Sequence, residues 1–140
     1  MKIGIRSAVG GMVLFSTLAL LPGRADAEDC VAGVHIMLPW TQALVKNAKE
    51  WPQEAVNKGF PVDRILTKDC VLVYPGNYGG GISTLGHVAR IVEPIPDKNG
   101  KIKIQDSYEA SPGYPAKTRE VRLVSKPDMS KCYVIHPKAK

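Results

Sequence analysis

The sequence predicts an α+β domain, with N-terminal helices packed on a mostly antiparallel sheet of about five to six strands. Two patterns predict it. Up to Gly59 the apolar residues fall between helix-capping and helix-stopping signals. Beyond Gly59 they form short runs that alternate with polar residues, and the turns between them are too short for parallel crossovers.

Taken in order, the first residues form a separate object. MKIGIR is basic, AVGGMVLFSTLALL is apolar, and PGRADA closes on a small-x-small pattern. This is the layout of a secretory signal peptide, with cleavage expected after Ala27. The apolar run is shorter than the roughly 20 residues of a spanning helix. The expectation is a leader over 1–27 and one domain over 28–140, exported to a periplasm or the extracellular space. No membrane association is expected after cleavage.

From Cys30 to about Leu38 the chain predicts a short helix, with Asp29 as N-cap and Pro39 as the stop. NAKEWPQEAVNKG, residues 47–59, predicts a second helix with Pro52 in its first turn and Gly59 at its end. CVLVY (70–74), GHVARIVE (86–93), KIKIQDS (101–107), REVRLVS (119–125) and KCYVIHP (131–137) read as strands. Asn99-Gly100 marks the turn of a hairpin. SYEASPGYPAKTR is an irregular connection.

Composition narrows the partners. The net charge of +6 over 140 residues falls when Lys2, Arg6, Arg24 and Asp26 leave with the leader. The basic residues that remain are scattered, without an arginine-rich or aromatic-spaced stripe, which argues against nucleic acid. A mildly basic exported chain suits an anionic polymer of the cell envelope. The chain holds three cysteines, so an oxidising compartment permits one internal bridge and leaves one thiol over. Cys30 can bridge to Cys70 or to Cys132. Cys70 and Cys132 each open an apolar strand, which favours joining those two and leaving Cys30 spare.

The spare thiol has a potential base. Along GHVARIVE one face carries His87, Ala89 and Ile91, and along KIKIQDS one face carries Ile102, Ile104 and Asp106. Matching the apolar faces brings His87 and Asp106 to one side of the sheet, within reach as cross-strand or diagonal neighbours. A carboxylate there fixes the imidazole tautomer and raises its basicity. The register is open, so Gln105 or Tyr108 are alternatives to Asp106, and both polar residues also suit the rim of a core. Cys30, opening a helix, has backbone N–H groups that favour a thiolate and can hold an oxyanion.

Four elements in this order resemble the CHAP family, the cysteine, histidine-dependent amidohydrolases/peptidases of the papain-like class. They are the cysteine opening the first helix, NAKEW with QEAVNKGF, GHVARIVE followed by NGKIKIQDS, and the closing YVIHP. The resemblance spans essentially all of 28–140. It implies a papain-like core, Cys30 as nucleophile, His87 as base and Asp106 as the residue that orients the histidine. It implies cleavage of a peptidoglycan amide bond, as amidase or endopeptidase, with peptidoglycan or its peptides as partner and no cofactor. Tyr108 falls where such domains often carry Asn; with Trp51 and Tyr78 it is an expected substrate contact. The sequence departs from the family where E-D-C-V-A-G-V replaces the usual Gln-Cys context with following aromatics.

The alternative reading is a non-catalytic exported module of this fold that binds wall polymer, inhibits, or meets a protein regulator. His35 and His136 have no close ligand partner at metal-site spacing, so no metal is expected. GNYGGG lacks the Lys-Ser/Thr ending of a phosphate loop and reads as a mobile rim beside His87. Trp40 and Trp51 also read as core or cleft-wall aromatics.

Overall fold

The computed structural model describes residues 22–107 and 120–139. It has two α-helices, α1 (Pro22–Met37) and α2 (Trp51–Asn57), with 3₁₀ turns at Pro39–Ala43 and Ala48–Glu50. Six strands follow: β1 (Val62–Asp63), β2 (Val71–Tyr74), β3 (His87–Glu93), β4 (Lys101–Asp106), β5 (Glu120–Ser125) and β6 (Tyr133–Ile135). They form one sheet in the order β1-β6-β2-β3-β4-β5, antiparallel at every pairing. The α+β class with an antiparallel sheet is therefore the one expected, and the two-residue edge strand β1 is the element the sequence did not announce. Helix α1 begins at Pro22 rather than beside Cys30, which lies inside it. Most of the expected leader, residues 1–21, lies outside the described residues, as do Tyr108 and most of the SYEASPGYPAKTR connection.

The sheet separates two apolar clusters. On one face Val34, Leu38, Leu44, Trp51, Ala55 and Phe60 pack with Val71, Val73, Val88 and Ile135. On the other, Leu72, Tyr74, Ala89, Ile91, Ile102, Ile104 and Val134 are covered by loop residues including Tyr78, Ile82 and Met129. Strand β2, central in the sheet, is consequently buried at all four positions. Buried Glu54 ties α2 to the preceding segment: its carboxylate accepts from the Val45 and Lys46 backbone N–H groups at 3.0 and 3.1 Å and from Lys58 Nζ at 2.9 Å.

The β3–β4 hairpin contains the detail that positions the site. Near the turn Glu93 pairs with Lys103, but farther on Ile91 pairs with Ile104 and Arg90 with Gln105. One extra residue in β3 between Ile91 and Glu93 makes the shift, a β-bulge. Because side chains alternate with period two, a one-residue shift exchanges the faces. Without the bulge Asp106 would pair near Arg90, on the face away from His87. With it, the ladder runs on to set Asp106 opposite Ala89, one diagonal step from His87.

The other approach to His87 is set by Gly86, whose φ is +81°. A Cβ at Gly86 would stand 2.7 Å from the Tyr74 carbonyl oxygen and 2.9 Å from the Lys49 nitrogen. Both are backbone atoms held in the sheet and in the Lys49 N–H to Leu85 carbonyl bond of 2.9 Å. Gly86→Ala is expected to destabilise by about 1–3 kcal/mol, measured by urea unfolding. An unchanged midpoint would contradict this account of the loop.

Candidate active site

His87 opens β3 and faces Tyr74 of β2 across the sheet, their ring centroids 6.0 Å apart. Its Nε2 lies 2.7 Å from Asp106 Oδ2, and the Asp106 side chain is fully buried. Burial by itself would push the Asp106 carboxyl up. Hydrogen bonds from Arg122 and His87 overcome that and hold it down at about 2. An ionised carboxylate only accepts, so Nε2 carries the proton and donates it. The remaining ring nitrogen, Nδ1, is left for Cys30, whose side chain hydrogen-bonds with His87. Burial would likewise lower His87. The bonds to Asp106 and Cys30 outweigh it and raise the imidazole to about 9.

The sulfur, the imidazole and the carboxylate expected from the sequence are thus brought together, with α1 packed against β3 and β4. Gln105 is not the histidine's partner: it accepts from Arg90 Nη1 at 2.7 Å, on the opposite face. Arg122, which sequence reasoning missed, forks onto Asp106, with Nε at 2.9 Å from Oδ1 and Nη2 at 2.7 Å from Oδ2.

Two expectations are corrected. Cys70 and Cys132 are not joined, and none of the three cysteines forms a disulfide. The register pairs Val71 with Ile135 and Val73 with Tyr133, which sets Cys70 opposite His136 and Cys132 opposite Tyr74. Two residues that open antiparallel partners sit at opposite ends of the ladder, here roughly 13 Å apart at ~3.3 Å per residue. A disulfide needs Cα atoms within about 7 Å. Trp51 is not a substrate contact either. It is fully buried, stacked on His35 at 5.6 Å, with its Nε1 donating to the Lys46 carbonyl at 2.9 Å. No ring face is left for a ligand. Tyr78 is half-buried, edge-on to Tyr74 at 5.0 Å, and its hydroxyl accepts from the Asp128 N–H at 2.8 Å.

His35 is half-buried and bonded through Nε2 to the Leu44 carbonyl at 2.8 Å. His136 forms a second thiol–imidazole–carboxylate array, with Nδ1 3.3 Å from Cys70 Sγ and Nε2 2.8 Å from Asp63 Oδ1. It lies at the other end of β2. Burial, then the charges of Asp63 and Asp69, push the Cys70 thiol up to about 11. Acidic neighbours keep that sulfur protonated, so it is a poor nucleophile. Among the described residues no group of three His, Cys, Asp or Glu side chains could hold a metal ion.

No protein-family model matches the chain, and no curated protein does. Among solved structures, N-acetylmuramoyl-L-alanine amidase from Staphylococcus aureus is similar, with a TM-score of 0.58 at 16% identity. The fold is similar to part of that amidase. The likeness covers 79% of this chain and 31% of the amidase chain.

The paired titrations give a test by stability. His87 is raised from 6.5 to about 9, so its contribution is whole below pH 6.5 and is lost as pH rises through 9. Asp106 is lowered from 3.8 to about 2, so its contribution is present above pH 3.8 and is lost as pH falls through 2. Urea midpoints are expected to decline between pH 6.5 and 9.5, and Asp106→Asn to remove most of that decline. A profile identical in the variant would contradict the pairing.

Proposed function

We propose that the chain is an exported cysteine-dependent amide hydrolase of CHAP type that acts on peptidoglycan, as amidase or endopeptidase. The observation that carries the reading is the single file of Cys30, His87 and Asp106, in which the imidazole bonds to a thiol on one side and to a buried carboxylate on the other. Similarity of fold to an N-acetylmuramoyl-L-alanine amidase supports the substrate class.

The reaction follows from these groups. His87 Nδ1 takes the Cys30 proton, and Asp106 holds the imidazolium through Nε2–H. The sulfur adds to the amide carbonyl, forming a C–S bond and an oxyanion; Cys30 lies inside α1, so the N–H groups around it are engaged within the helix and do not hold that oxyanion. The C–N bond breaks, and the amine leaves with the proton from His87. Water, deprotonated by His87, then cleaves the thioester and releases the carboxylic acid and the thiol. Tyr78, and Tyr108 beyond the described residues, remain the proposed substrate contacts.

One observation favours a second reading, a non-catalytic module of the same fold that binds wall polymer or a protein regulator: Cys30 is only 1% exposed. A sulfur that no carbonyl can approach does no chemistry. Incubation of the chain and of Cys30→Ala with purified peptidoglycan separates the two. The hydrolase reading expects newly released amino groups, with a loss of more than about 10³-fold in the variant. Sedimentation with the polymer but no release by either form would leave the module.

A further inference from the structure

We infer that Arg122 is a positioning residue for this site, resting on the hydrolase reading: its forked contact fixes the Asp106 carboxylate in the one orientation that serves His87. Strands β4 and β5 pair Ile104 with Arg122 and Asp106 with Glu120, so Arg122 is on the face of Asp106 and one diagonal step from it. Both guanidinium bonds, at 2.9 and 2.7 Å, lie on the two carboxylate oxygens. The oxygen that takes Nη2 also accepts Nε2–H of His87 at 2.7 Å. A carboxylate held by His87 alone is free to rotate about its terminal torsion; the fork stops that rotation.

The face that β5 presents adds a second argument. Its more apolar stripe is Val121 and Leu123, yet these are 55% and 53% exposed. Packing alone favours the Val121–Leu123 stripe inward. The strand instead turns Arg122 and Val124 toward the core, with Val124 against the loop-covered cluster. Placing a cation on the buried Asp106 carboxylate accounts for this choice. Arg122 keeps 42% of its side chain exposed, so its own charge stays hydrated while it neutralises the aspartate.

Other groups bear on the pair from the packed elements: Cys30 from α1 through its bond to His87, Tyr74 from β2, and Glu120, which stands opposite Asp106 on β5. Beside the protonated His87 imidazole, Arg122 places the second cation on Asp106. Its removal therefore lets Asp106 take a proton at a higher pH.

The test uses the chain with Arg122→Gln and Arg122→Lys, following the Asp106 carboxyl carbon by NMR against pH alongside peptidoglycan hydrolysis. In Arg122→Gln the Asp106 titration is expected to move up by roughly 1–3 pH units, and the acid limb of hydrolysis to move with it. In Arg122→Lys the charge is kept and the fork is lost. The titration should stay near that of the parent while kcat falls severalfold and KM holds. An Asp106 titration unmoved in Arg122→Gln overturns the inference, as does a Lys variant with full kcat. If Arg122→Gln does not fold, the Lys variant decides alone. Absence of hydrolysis in the parent chain would remove the hydrolase reading and with it the positioning role, whereas the Asp106 titration would still report whether Arg122 holds the carboxylate.

Discussion

The site depends on one buried carboxylate. Asp106 has no contact with water, and an isolated charge in such a place is costly. It stays ionised because two donors share it, the His87 imidazole and the Arg122 guanidinium. Each consequence follows from that. The imidazole tautomer is fixed with its proton on Nε2, the other ring nitrogen turns to Cys30, and β5 is held in a register that exposes two apolar side chains. Remove the charge at Asp106 and both the histidine and the Arg122 side chain of β5 lose the group that orients them.

Two arrays of thiol, imidazole and carboxylate occur in the chain, and they differ in electrostatics more than in geometry. Around Cys70, burial and then the acidic charges of Asp63 and Asp69 disfavour a thiolate. Around Cys30 the partner is an imidazole whose basicity is raised by hydrogen bonds to Asp106 and to Cys30 itself. The same three residue types leave a raised thiol at one end of β2 and a raised imidazole at the other.

Much of this was legible in the sequence. Alternation in GHVARIVE and KIKIQDS placed His87 and Asp106 on faces that could meet, and Asn99-Gly100 marked the hairpin turn, where Gly100 has φ +74°. What decided between Asp106 and Gln105 was a single bulged residue in β3, and nothing local in IVE announces one. The Cys70–Cys132 pairing failed for a topological reason: two cysteines that each open a strand are neighbours only if the strands are parallel. Trp51 looked equally suited to a cleft or a core until α1 and the Lys46 carbonyl closed around it. Arg122 was hidden because the local pattern of REVRLVS points its apolar stripe inward, and only the charge on a distant strand reverses that.

The contact between the Cys30 thiol and the His87 imidazole is measured most directly by ¹⁵N NMR titration of the His87 ring in the parent chain and in Cys30→Ala. The account predicts a midpoint near 9 in the parent and a lower one once the sulfur is gone. A midpoint close to 6.5 in both would mean that the two side chains do not meet, and the proposed chemistry would have no site.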